Sequence, residues 1–174
     1  ISNMARYVQV NNMIIINRYF KKREVQAKNW DKWYCDDYGE LLERTKSLHY
    51  WYDFHGFRDP HMPSAMKKSV LAHLWEIEGD TLDRASRNRF RAYTDVSQYL
   101  IRYWQLCTGE FYPRRTLGKF YQVDLNNYLD IAKDIEERKF QMISINENCC
   151  GKDFEIVKKR INEAFEKILP EKSE

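Results

Sequence analysis

With 174 residues, 43% of them apolar and 32% charged, the chain has the size and composition of one folded domain with its own core, not of a disordered tail. Its 29 basic and 26 acidic residues leave a formal charge of +3 spread along the sequence, which argues against a nucleic-acid partner and gives only a weak preference for anionic ligands. Four cysteines lack CxxC spacing and fit reduced thiols in a cytoplasmic chain, and the longest apolar run, Met13 to Ile16, falls far short of the roughly 20 residues that a membrane span needs.

The chain starts at Ile1, and no cleavage motif explains that start, so an N-terminal part is expected to precede it. Ser2 is a possible cap for a helix running to about Lys28, on which Met4, Val8, Ile15, Ile16, Tyr19 and Phe20 recur at helical offsets. A strand over Tyr7 to Ile16 is the alternative, and Asn11 and Asn12 argue against it. Tyr38, Leu41, Leu42, Thr45, Leu48 and Tyr52 mark a second amphipathic helix over Asp37 to Tyr52. A loop dense in His, Gly and Pro follows, Asp53 to Pro63.

Ser64 then offers a cap for a helix to about Ile77, with Gly79 and Asp80 as its stop and a polar segment, Thr81 to Arg91, beyond. Val96, Tyr99, Leu100, Tyr103, Trp104 and Cys107 make one apolar stripe, with Asp95 near its start and Gly109 past its end. In the last third, Lys119 to Val123 and Phe140 to Ile145 read as strands separated by a helix that carries Leu125, Tyr128, Leu129, Ala132 and Ile135. A final helix from about Asp153 is stopped by Pro170. Strand, helix, strand implies parallel pairing, and two parallel strands are too small a sheet to stand alone.

Three clusters could carry chemistry. His61 sits between Pro60 and Pro63, in a stiff loop suited to holding an imidazole, although a surface histidine is the plainer reading. Arg84, Arg87, Arg89 and Arg91 offer planar forks suited to phosphate oxygens, or else form a solvated charged loop. Asn146 and Glu147 end the second strand, where open α/β sheets bind ligands, or else belong to an Asn-rich turn. No Walker or GxGxxG motif occurs.

Taken in order, Gly56-Phe57-Arg58-Asp59-Pro60-His61-Met62-Pro63, Arg89-Phe90-Arg91-Ala92-Tyr93-Thr94-Asp95-Val96 and Met142-Ile143-Ser144-Ile145-Asn146-Glu147 resemble the third and fourth conserved regions of the Stealth family of sugar-1-phosphate transferases. The similarity runs from about Asn11 to Glu174, and departs where the family ends its last strand in Asn-Asp and this chain has Asn146-Glu147. The family's first two conserved regions, with their acidic nucleotide and metal motifs, do not occur in these residues.

The resemblance implies an enzyme that transfers a hexose or N-acetylhexosamine 1-phosphate from a nucleotide diphosphosugar to a saccharide hydroxyl in capsule or surface-polysaccharide synthesis. By it, His61 and Arg91 are the catalytic residues and serve one phosphoryl group, Arg89 and Asn146 bind substrate, and no metal ligand falls in this chain. A divalent cation, Mg or Mn, would be held mainly by residues outside it. The implied fold is helix-rich α/β, with residues 1–174 as a single domain: a helical part over 1–109 and a strand-helix-strand-helix part over 110–174. Its two parallel strands would complete a Rossmann-like sheet begun by an N-terminal remainder, in a cytoplasmic enzyme at the inner face of the membrane. A non-catalytic carbohydrate-binding or docking module, using the many Trp and Tyr residues, is the competing reading.

Overall fold

Apolar residues three and four positions apart coil most of the first two thirds of the chain into helices, and the computed structural model describes residues 3–115 and 117–171. The Ser2 cap falls outside the described residues. The chain divides into two units: Ile1–Asp59 with Ser64–Arg115, and Pro60–Pro63 with Thr116–Glu174.

In the first unit, α1 (Asn3–Tyr19) buries Val8, Asn12, Met13, Ile15 and Ile16. The helical reading holds, but Lys21 turns extended (φ −90°, ψ 119°) and α2 (Lys22–Lys28) starts afresh. The break lets the Phe20 ring meet Trp104 edge-on at 4.6 Å. After α3 (Trp30–Trp33) and a 3-10 turn (Asp36–Tyr38), α4 covers only Leu41–Ser47, shorter than the expected Asp37 to Tyr52. A tertiary bond competes there: the buried Lys22 ammonium donates to the carbonyls of Leu48 and Trp51 and draws the chain open beyond Ser47. Burial pushes the Lys22 pKa below its ordinary value, while Asp53 acts the other way.

Helix α5 (Lys68–Arg87) starts four residues after Ser64 and passes through Gly79 and Asp80, both against expectation. Its start is fixed from a distance, because Gln105 Oε1 accepts the Lys67 N–H at 3.0 Å. Instead of stopping, it kinks at Glu78 (φ −131°), whose buried carboxylate accepts from Arg18, from the Tyr19 hydroxyl at 3.0 Å and from Thr81 at 3.2 Å. Helix α6 (Tyr99–Thr108) ends as expected, with Gly109 left-handed at φ 77°. Ile16, Leu74, Leu100, Tyr103 and Trp104 form the centre of this unit's core.

The second unit is β1 (Gly118–Val123), α7 (Tyr128–Glu136), β2 (Met142–Glu147) and α8 (Gly151–Ile168). The two strands pair in parallel, Gly118 opposite Met142 through Val123 opposite Glu147. Tyr121, Val123, Ile143 and Ile145 point from one sheet face onto Ile131, Ala132, Ile135, Val157, Ile161 and Ala164 of the two helices. A helix-rich α/β chain with two parallel strands is therefore what the sequence forms.

Candidate functional site

The short segment Pro60–Pro63 belongs to the strand unit, and its geometry follows from its sequence. Met62 precedes a proline and is biased to extended backbone. His61 turns the chain in the left-handed region at φ 48°, which histidine tolerates better than most residues. The turn sends Met62 inward to 8% exposure and leaves His61 exposed, its ring 5.2 Å from that of Phe120 at 33°. Gly118 admits Met62, since a Cβ there would lie 2.2 Å from Met62 Cε and 2.4 Å from the Met142 carbonyl oxygen.

Strand alternation places Phe120, Gln122, Ser144 and Asn146 on the sheet face opposite α7 and α8. Phe120 pairs with Ser144 and Gln122 with Asn146, so the Phe120 ring that His61 lies against and Asn146 share that face, offset by about 7 Å along the strands and about 5 Å across them. Asn146 and Glu147 are exposed and still in the ladder. The strand ends at Glu147, and the Asn148 N–H still donates to the Val123 carbonyl at 2.9 Å.

Arg89 and Arg91 lie in the helical unit, on the loop between α5 and α6. Asp95, 7% exposed, organises that loop: Oδ1 accepts from Asn88 Nδ2 at 2.6 Å and Oδ2 from the Ala92 N–H at 2.7 Å. Helix α1 clamps it through Asn11 Nδ2, which donates to the carbonyls of Tyr93 at 2.7 Å and Asp95 at 2.8 Å. Asn12 adds a two-way bond, donating to Ser97 Oγ at 3.0 Å and accepting the Ser97 N–H at 3.1 Å. On this fixed backbone Arg89, Phe90 and Arg91 all face solvent. The Arg89 guanidinium lies over the Phe90 ring at 5.4 Å, Arg87 pairs with Asp83 at 2.8 Å, and Arg91 makes no hydrogen bond or ion pair among the described residues.

Two pairs of the sequence-derived candidates are thus brought together, His61 with Asn146 on a sheet face and Arg89 with Arg91 on a loop, each pair in its own unit. Sequence reasoning used Asn11 and Asn12 only against a strand and missed them as the loop's clamp. The signal was present, because Val8, Asn12 and Ile16 share one i, i+4 row and an Asn there interrupts the buried stripe. Among the described residues no group of three or more His, Cys, Asp or Glu side chains could hold a metal ion. Nor, among them, is any helix long and apolar enough to cross a membrane.

The sequence in which these two arrangements are embedded is similar to those of polysaccharide phosphotransferases. The chain is 36% identical over 172 residues, 98% of its length, to the capsular polysaccharide phosphotransferase WcwK of Streptococcus pneumoniae. It is 34% identical over 97% of its length to the exopolysaccharide phosphotransferase cps2G of Lactiplantibacillus plantarum, and 32% identical over 95% to the receptor polysaccharide phosphotransferase WefC of Streptococcus oralis. It spans about half the length of each of these relatives: 51%, 50% and 49%. No protein-family model and no solved structure matches the chain.

Proposed function

We propose that the protein of which this chain forms a part transfers a hexose or N-acetylhexosamine 1-phosphate from a nucleotide diphosphosugar to a saccharide hydroxyl, in the cytoplasm at the inner face of the membrane. The observation that carries this reading is the 34–36% identity to polysaccharide phosphotransferases over nearly the whole chain. In the reaction, the acceptor oxygen attacks the phosphorus that bears the sugar, and the bond from that phosphorus to the nucleoside monophosphate breaks. The product is a phosphodiester. Such transfer rests on positioning and on neutralising phosphate charge.

Arg91, unpaired among the described residues and mounted on a fixed backbone, suits the phosphate oxygens, with Arg89 beside it. His61 takes the proton of the incoming hydroxyl or donates a hydrogen bond to the phosphate, and Asn146 orients substrate on the same sheet face. A divalent cation, Mg or Mn, would add charge neutralisation, held mainly by residues outside this chain. The remainder of the protein would also supply further strands of a Rossmann-like sheet, making one domain with residues 1–174. The reading as a non-catalytic carbohydrate module is weaker, because the relatives it must be reconciled with are phosphotransferases.

The test is to incubate the full-length protein with UDP-hexoses and a saccharide acceptor and to measure UMP release with and without His61→Ala and Arg91→Ala. Release that falls about 100-fold or more in each variant is expected. Full activity in both would remove the site assignment, and no release from any nucleotide sugar would remove the reaction.

A further inference from the structure

In the helical unit, Tyr50, Trp51 and Tyr52 present their rings to solvent at 82%, 52% and 73% exposure, on a backbone tied down at both ends. The Lys22 ammonium holds the Leu48 and Trp51 carbonyls. The Asn17 carboxamide clasps Phe54, donating to its carbonyl at 2.8 Å and accepting its N–H at 2.9 Å, while the Phe54 ring is buried in the core. The rings are seated as well. Trp51 lies against His55 at 4.5 Å and 76°, Tyr50 against His49 at 5.1 Å and 78°, and the Arg23 guanidinium covers one face of Tyr52 at 4.4 Å. Packing these rings onto the core would remove apolar area from water, yet a buried cation and an asparagine hold the segment that displays them.

With Asp53 and His55 the three rings line an open depression of about 360 Å³, within the range of small-ligand sites. The geometry points to this ledge as a binding subsite for a neutral saccharide chain, the acceptor of the proposed transfer, and in that respect it rests on the reading above. Pyranose rings present C–H faces that pack on aromatic faces and hydroxyls that a carboxylate accepts and an imidazole bonds. Charge selects among occupants. The Asp53 carboxylate opposes a diphosphate, and the nearby Arg23 is engaged on Tyr52, so the nucleotide donor is a poor fit. A covering protein segment would have to desolvate Asp53 together with the rings.

The test titrates the full-length protein with neutral tetrasaccharides of the malto, cello and galacto series, read by saturation transfer to the sugar C–H protons. Binding by at least one series is expected, weakened tenfold or more by Trp51→Ala and by Tyr52→Ala and several-fold by Asp53→Asn, with unchanged far-UV circular dichroism and no competition from UDP-hexose. Absence of transfer from all three series, or transfer that survives both aromatic substitutions, overturns the subsite. So does protection of residues 50–53 from solvent exchange in the unliganded full-length protein, which would mean that protein covers the ledge. UMP release by the full-length protein in the absence of acceptor, where water attacks the phosphorus in the acceptor's place and leaves the free sugar 1-phosphate, is independent of these rings. Failure of the wild-type protein to bind any of the saccharides while it still releases UMP therefore sinks the ledge alone, and the converse sinks the transfer reading alone.

Discussion

The His61 imidazole is seated on Phe120, ring centroids 5.2 Å apart and planes at 33°, on the sheet face that also carries Asn146. Phe120 is therefore a positioning residue for His61. His61→Ala is expected to lower UMP release by the full-length protein about 10²- to 10⁴-fold, the range for a lost acid-base group. Phe120→Ala should cost less, because the Met62 anchor against Gly118 remains. The decisive measurement is the double variant. If the phenyl ring works through the imidazole, His61→Ala/Phe120→Ala is no slower than His61→Ala, whereas a multiplied loss would give Phe120 a separate role.

Arg91, the proposed phosphate ligand, and Asp95, which holds the backbone, lie on one loop. Arg91 is exposed and unpaired among the described residues, so Arg91→Ala should leave the melting temperature unchanged while UMP release collapses. Asp95 is buried and accepts from Asn88 and from the Ala92 N–H, and its removal takes the acceptor from both donors. Asp95→Ala should destabilise by about 1–3 kcal/mol, at about 2–4 °C of melting temperature per kcal/mol for a domain of this size. Asn11→Ala should lower activity by releasing the Tyr93 and Asp95 carbonyls, and equal effects of Arg91→Ala and Asp95→Ala on melting would contradict this division of roles.

Legibility follows the range of the forces involved. Helix α6 and its Gly109 stop, the strand pair and α8 were readable because each is fixed by a local stripe or a local break. The misplaced ends have long-range causes: Gln105 reaching Lys67, Arg18 and Tyr19 reaching Glu78, and Lys22 reaching Leu48 and Trp51. The candidate residues could be picked out by motif, but not the contacts that seat them. Nothing in the local sequence says that Met62 will drop beside Gly118, fifty-six positions later, and carry His61 with it.

Gly118 tests that seating. A methyl group there would meet Met62 Cε at 2.2 Å, the Met142 carbonyl oxygen at 2.4 Å and Met142 Cβ at 2.8 Å. Gly118→Ala should thus destabilise by about 1–3 kcal/mol, the usual cost of overpacking. Trimming the flexible neighbour relieves only one of the three clashes, so Gly118→Ala/Met62→Ala should not recover the wild-type denaturation midpoint. Full recovery in urea titrations would mean that the paired strands yield to the added methyl.

The strand unit should lose stability in acid, through two half-buried carboxylates of α7. Asp134 is held below its ordinary pKa of 3.8, first by the Lys139 ammonium at 2.6 Å and then by the Tyr121 hydroxyl. Glu136 is likewise depressed, by Lys167 at 2.9 Å and Arg160 at 2.7 Å. A carboxyl whose folded pKa lies below its unfolded one binds protons more readily in the unfolded chain. Its contribution is complete above the unfolded value and disappears as pH falls through the folded one. Stability should be level between pH 6 and 7 and fall from about pH 4 downward. Asp134→Asn/Glu136→Gln should remove that contribution, so the double variant starts less stable near neutrality and its deficit shrinks as the pH falls. Melting curves that stay parallel over the whole interval would show that neither pairing is formed in solution.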